Sequence, residues 1–168
     1  MASFYRSKVS DFLALSQGEI ISRLSIAYAN RGFTRQFTDQ TLTWERDIHS
    51  LREALAECVE HDPTAEEWGI LLEFSIPRKE LRIDAVLLIG ADIVIIEGKS
   101  GTALFQARRQ LEEYALLLRY FHKSSEDRRI VPLVVSPEAG QPDLDPLKQC
   151  EMFPQLSTFW VSKPTLTS

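Results

Sequence analysis

Residues 81–114 read LRIDAVLLIGADIVIIEGKSGTALFQARRQLEEY. Leu81–Ile89 is apolar and rich in β-formers, with one carboxylate, Asp84, inside it. Gly90-Ala91 interrupts the run. Asp92–Ile96 is a second β-rich run that ends in Glu97-Gly98-Lys99. After Ser100-Gly101 a helical pattern begins at Ala103. Two β-runs joined by so short a link predict an antiparallel hairpin. With the turn centred between Gly90 and Ala91, opposed residues have numbers that sum to 181. Asp84 is then expected opposite Glu97, and Arg82 opposite Lys99. Directly opposed side chains share a face with Cβ atoms roughly 4.5–5.5 Å apart. Alternation puts Lys99 on the face of Glu97.

Two carboxylates and an amine are thus expected together at one end of the hairpin. Opposed like charges repel, and half-buried carboxylates are costly. A divalent cation relieves both costs, and Mg²⁺ is typically held by one or two carboxylates with waters and substrate phosphates. A nearby lysine can orient or deprotonate a water, or steady developing negative charge. This is the equipment of metal-assisted phosphodiester hydrolysis. Glu and Lys at an exposed strand end are commonplace. The same trio set inside apolar β-runs, where charge is expensive, points to a site.

Asp84, then Glu97-x-Lys99, on a hairpin before a helix, resembles the PD-(D/E)XK nuclease core. Gln110-x-x-x-Tyr114 on the next helix is similar to the QxxxY motif of the RecB-like branch. The likeness extends over roughly residues 5–140, through EFSIPRKELRIDAVLL, IIEGKSG, QLEEYALLLRYFH and RRIVPLVVSPEA. There it looks like the nuclease-like domain that precedes a superfamily-one DNA/RNA helicase in a family of bacterial proteins. The resemblance implies that Asp84 and Glu97 ligate Mg²⁺ or Mn²⁺, with the carbonyl of Gly98 as a third ligand. It implies that Lys99 is the catalytic lysine and that Gln110 contacts the site or the nucleic acid. Two positions depart from the pattern: Ile83 stands where a proline often precedes the aspartate, and Gly98 stands where a larger residue is usual. No G-x-x-x-x-G-K-[ST] occurs, so no phosphate-cradling loop can be assigned. The chain is expected to be either a stand-alone nuclease-like protein or a fragment, with a helicase or ATPase as a candidate partner.

At 168 residues and 44% hydrophobic, the chain is expected to form one domain with a sizeable core. A helical extension over about 1–40 and a weakly structured C-terminal tail complete it. The net charge of −5 excludes a wholly basic nucleic-acid binder and leaves room for a local basic face. Cys58 and Cys150 are too few for a disulfide framework or zinc cluster. No signal peptide and no long apolar run are visible, so a cytoplasmic protein without a membrane span is expected.

Ser10–Asn30 reads as a helix capped by Ser10, with Glu19 as a solvated charge on it. A second helix opens at Thr41 or Thr43 and runs to about Glu60, with Leu42, Ile48, Leu51, Leu55 and Val59 as its stripe. Trp44 sits close to that stripe and reads as a core anchor. Many members of the resembled superfamily carry an extra acidic residue on this helix; Glu45 and Glu53 are the two candidates, and the sequence does not choose between them. Ile70–Ile76 is a strand closed by Pro77. Glu73 on it faces away from Leu72 and Phe74, toward either the site or solvent. Arg78, Lys79 and Arg82 form a candidate phosphate-contacting patch, joined by Arg108, Arg109 and Arg119. Tyr114 is a further nucleic-acid candidate.

Leu104–His122 is the third helix, with Leu104, Ala107, Leu111, Ala115 and Leu118 toward the sheet. Ile130–Ser136 is a strand whose Pro132 hints at an edge, and Thr158–Val161 a last short strand. The expected fold is a restriction-endonuclease-like α/β sandwich with a central mixed four-stranded sheet flanked by helices. The expected function is Mg²⁺-dependent hydrolysis of DNA, or RNA, in a setting such as DNA repair or phage defence. The alternative is a non-catalytic domain of that fold that binds nucleic acid or docks onto a helicase.

Overall fold

The computed structural model describes residues 3–31, 37–76, 81–98, 104–135 and 159–161. In chain order these are β1 (Tyr5–Lys8), α1 (Val9–Ala14), α2 (Gln17–Asn30), α3 (Phe37–His61), β2 (Gly69–Ser75), β3 (Arg82–Ile89), β4 (Asp92–Gly98), α4 (Leu104–Phe121), β5 (Arg129–Val135) and β6 (Phe159–Val161). Short 3₁₀ turns at Pro63–Glu67 and Lys123–Ser125 follow α3 and α4.

The strands form one mixed sheet in sequence order, β1 to β6. β1 through β4 pair antiparallel, and β4, β5 and β6 pair parallel. The parallel β4–β5 pair requires a crossover, and α4 supplies it. Among the described residues the sheet has six strands, not four: β1 and β6 lie outside the expected four-stranded centre, one on each side. β1 reads YRSK and has almost no local strand signal; it exists because residues 69–72 of β2 offer it a ladder.

Helices cover both faces. Ile70, Leu72, Ala85, Leu87 and Ile96 pack under α1, α2 and α3, while Leu71, Val86, Ile93 and Ile95 pack against α4. Burial on both faces is why β3 and β4 read as continuous apolar runs. Ala107, Leu111, Ala115 and Leu118 are buried, as the helical spacing predicts. The N-terminal stretch is integral to the core: Phe4, Val9, Phe12, Ile20, Leu24 and Tyr28 are all buried in it.

The single helix expected over Ser10–Asn30 is two helices. Ser16 is the cap that starts α2: its hydroxyl accepts from the Glu19 N–H, and the Glu19 carboxylate accepts from the Ser16 N–H at 2.8 Å. This capping box satisfies two orphan donors at once. It also holds the Glu19 carboxyl below the ordinary carboxylate range, through its hydrogen bonds from Ser16. Glu19 is thus a cap and not a merely solvated charge. On α3 the buried stripe begins at Trp44 and continues through Ile48, Leu51 and Leu55. Leu42 lies outside it, 60% exposed. Pro132 pairs with Ile95 inside the sheet, and the described β5–β6 ladder starts one residue later, at Leu133↔Phe159.

Arg52 on α3 closes the C-terminal end of α1. Its guanidinium donates to the carbonyls of Phe12 (2.8 Å), Leu13 (3.1 Å) and Leu15. Those carbonyls have no partner further along the helix, and a charged donor to them contributes about 1.5–3 kcal/mol. Arg52→Ala is expected to lower stability by about 2 kcal/mol, a fall in melting temperature of roughly 4–8 °C for a chain of this size. Urea unfolding checks it; an unchanged midpoint would show that water serves the three carbonyls equally well.

Among the described residues no helix is long and apolar enough to cross a membrane.

Candidate active site

The β3–β4 hairpin turns at Gly90-Ala91, with Gly90 in the left-handed region at φ 56°. Its ladder runs from Ile89↔Asp92 to Ala85↔Ile96, each pair summing to 181, so the register is the expected one. Asp84 and Glu97 lie one step past the last pair. There the ladder is replaced by a side-chain bond: Asp84 Oδ2 accepts from the Gly98 N–H at 3.1 Å. Glu97, 2% exposed, turns toward α4, where its Oε1 accepts from Gln110 Nε2 at 3.1 Å. The register is the expected one but the shared face is not: Asp84 points to the cavity under α3 and Glu97 to α4, on opposite sides of the sheet, and the two carboxylates stay within electrostatic reach of each other.

Asp84 is the electrostatic centre of the site. Burial pushes its carboxyl well above the ordinary carboxylate range. Repulsion from Glu97 adds to that, followed by repulsion from Glu73; the Gly98 N–H opposes it, and Asp47 raises it further. Four acidic side chains from α3, β2, β3 and β4 therefore converge on one region. Asp47, Glu73 and Asp84 line a cavity of about 120 Å³ between α3 and the sheet, together with Trp44, Leu72 and Ile96. Arg46 lies at its edge and pairs with Asp47 at 3.2 Å.

Asp47 is the acidic residue that α3 brings to the site. Asp47 reaches β4 beside Gly98: a Cβ there would sit 3.5 Å from Asp47 Oδ1, an ordinary van der Waals contact. Glu45 is exposed on the helix surface, and Glu53 pairs with His49 in solvent, 61% exposed. Neither of the two expected candidates reaches the site. The signal for Asp47 was in the spacing: Trp44, Asp47, Ile48 and Leu51 follow the i, i+3, i+4, i+7 rule of one helical face.

Glu73 faces inward, 6% exposed. Trp44 Nε1 donates to it at 2.7 Å, and Arg82 Nη1 pairs with it at 3.0 Å. Burial raises its carboxyl above the ordinary range, against the lowering effects of Trp44 and Arg82. Its φ is +51°, and among the described residues no other non-glycine has a positive φ. That conformation costs an L-residue roughly 1–2 kcal/mol. Arg82 lies over the rings of Tyr28 (5.4 Å) and Phe4 (5.6 Å) and pairs with Glu73, with 30% of its side chain exposed.

Gln110 and Tyr114 share one face of α4. Gln110 Nε2 also donates to the Tyr114 hydroxyl. Tyr114 is 2% exposed, within the core under α4, which removes it as a surface for nucleic acid. The pair instead fixes Glu97. Gln110→Ala is expected to free that carboxylate and, on the cation-binding reading proposed below, to weaken Mn²⁺ affinity by about 10-fold or more, the usual cost of losing a group that orients a ligand. Isothermal titration with Mn²⁺ checks it, and wild-type affinity in the variant would sink this role. Arg108 pairs with Glu112 at 2.8 Å, Arg109 is exposed and Arg119 is half-buried. Lys99, Arg78 and Lys79 lie outside the described residues.

Among the described residues, no three His, Cys, Asp or Glu side chains gather as a metal-ligand group. Mg²⁺ needs fewer: one or two carboxylates with waters suffice, and Asp84 with Glu97 supplies hard oxygen donors of that kind. A scan against protein-family models and searches of curated proteins and of solved structures gave no match, so the functional reading rests on the chain itself.

Proposed function

We propose that this chain is a Mg²⁺- or Mn²⁺-dependent nuclease of the PD-(D/E)XK type, hydrolysing phosphodiesters in DNA or RNA. The observation that carries the reading is Asp84 beside Glu97 at the end of the β3–β4 hairpin. Glu97 is 2% exposed, Asp84 is half-buried in the cavity wall, and the Asp84 carboxyl is raised by burial and by Glu97. Proteins keep buried like charges together where a cation or a reaction uses them. The order α3, β2, β3, β4, α4, β5 supports the finer fold assignment, a restriction-endonuclease-like sandwich.

In this reading Asp84 and Glu97 hold the cation, with the Gly98 carbonyl beside them. Gln110 keeps the Glu97 carboxylate in place. Lys99, two residues beyond Glu97 in the sequence, orients or deprotonates the attacking water. The cation supplies charge neutralisation at the phosphate and lowers the pKa of bound water. Water adds to phosphorus, the P–O ester bond breaks, and the leaving oxygen takes up a proton.

The departure of Asp84 and Glu97 to opposite sides of the sheet favours a second reading, a non-catalytic domain that binds nucleic acid or a partner. A cleavage assay on single-stranded DNA, duplex DNA and RNA, with Mg²⁺, Mn²⁺ or EDTA, separates the two. Metal-dependent cleavage of any substrate is expected. No cleavage of all three would establish the second reading.

A further inference from the structure

On β2, Leu72 belongs to the core under α1–α3 and Phe74 to the core under α4. On β3, Ala85 belongs to the first and Ile83 to the second. Residues two apart on a strand share a face. Both strands therefore invert their alternation at the same level. Leu72↔Ala85 and Phe74↔Ile83 are paired with an unchanged register sum of 157, and the step between them, Glu73–Asp84, is skipped. No residue is inserted; on β2 the inversion coincides with the positive φ of Glu73, and β3 inverts at the facing Asp84 without a positive φ of its own. Its consequence is chemical. With regular alternation, Asp84 would share the α4 face with Val86. With the inversion, it lines the cavity under α3 and reaches the Gly98 N–H.

A left-handed conformation at a side chain as large as glutamate persists only where the surroundings over-determine it. Here they do. Trp44 from α3 and Arg82 from β3 grip the Glu73 carboxylate from two directions. Arg82 is in turn held by stacking on Phe4 and Tyr28.

We propose that Glu73 is a positioning residue: anchored by Trp44 and Arg82, it holds the paired strand inversion that delivers Asp84 to Gly98 and to the α3 side of the sheet. The consequence for cleavage rests on the nuclease reading above; the placement of Asp84 does not. Glu73→Gly separates anchor from backbone, because glycine adopts positive φ freely but offers no carboxylate. Without the anchor, β2 and β3 can return to regular alternation.

The probe is the Gly98 amide resonance in ¹⁵N-edited NMR of the metal-free protein, with Asp84→Ala marking the position it takes when its acceptor is lost. Gly98 and Glu73 are on different strands, so a general loss of stability does not move that one resonance selectively. In Glu73→Gly the Gly98 amide is expected to shift toward its Asp84→Ala position. In Glu73→Gln, which still accepts from Trp44, it is expected to stay nearer the wild type. An unmoved Gly98 amide in folded Glu73→Gly overturns the proposal. If Glu73→Gly does not fold, Trp44→Phe decides, since it keeps the ring packing and deletes the donor; an unmoved Gly98 amide there overturns the proposal as well. Mn²⁺ affinity should fall about 10-fold or more in Glu73→Gly, as for other losses of a ligand's support. A wild type that binds no Mn²⁺ would sink the nuclease reading and leave the amide result standing.

Discussion

In EDTA at neutral pH, Asp84→Asn is expected to melt above the wild type, and with saturating Mg²⁺ or Mn²⁺ the order should reverse. The first half follows from the electrostatics of the site. Burial and the neighbouring Glu97 carboxylate push the Asp84 carboxyl above its ordinary range in the folded protein. The native state then binds that proton more tightly than the unfolded chain does. Wild-type stability should fall as pH rises from the ordinary aspartate range through the raised folded value. Asparagine keeps an oxygen for the Gly98 N–H and carries no charge, so the penalty disappears. Below the ordinary aspartate range the carboxyl is protonated in both states, and the two proteins should converge. Each kcal/mol recovered raises the melting temperature by about 2–4 °C in a chain of this size. The second half follows from linkage. A cation at 100 times its Kd stabilises the native state by about 2.7 kcal/mol, roughly 5–11 °C, and Asp84→Asn should lose that gain together with cleavage. Differential scanning calorimetry of both proteins across pH, with and without Mn²⁺, tests each half separately. A variant less stable than the wild type in EDTA would mean that the Asp84 charge is compensated within the fold.

Lys99→Ala should leave the metal-dependent melting shift intact and lower cleavage by about 10²–10³-fold. Lysine is not a ligand, so cation affinity should survive its removal. Loss of one well-placed electrostatic or proton-transfer group typically costs that much in rate, about 2.7–4 kcal/mol of transition-state stabilisation. Glu97→Gln should behave differently and lose both the melting shift and cleavage, because it removes a ligand. Its amide would also face the Gln110 amide that now donates to Glu97 Oε1. Single-turnover cleavage with calorimetric metal titration of the two variants distinguishes the roles. Undiminished cleavage in Lys99→Ala would trace the activity to a contaminating nuclease.

The sequence alone determined the hairpin and its register, because one short turn and two apolar runs leave no other pairing: every rung from Ile89↔Asp92 to Ala85↔Ile96 sums to 181. It determined α4 and its buried face, because Ala107, Leu111, Ala115 and Leu118 repeat at helical spacing. These are local signals, written within a few residues of where they act. Tertiary structure decided the rest. β1 became a strand through β2, 67 residues away at the Tyr5↔Leu72 pair. Asp47, rather than Glu45 or Glu53, became the acidic residue facing Asp84, because packing of Trp44, Ile48 and Leu51 on the sheet fixed the rotation of α3. Arg82 turned to Glu73 and Tyr114 turned inward, because Glu73 needed a cation and the core needed a ring. The inversion at Glu73 and Asp84 is the clearest case. Strict alternation sends Asp84 to the α4 face. The paired inversion, which coincides on β2 with a positive φ at a glutamate held by a tryptophan 29 positions earlier, puts it on the other.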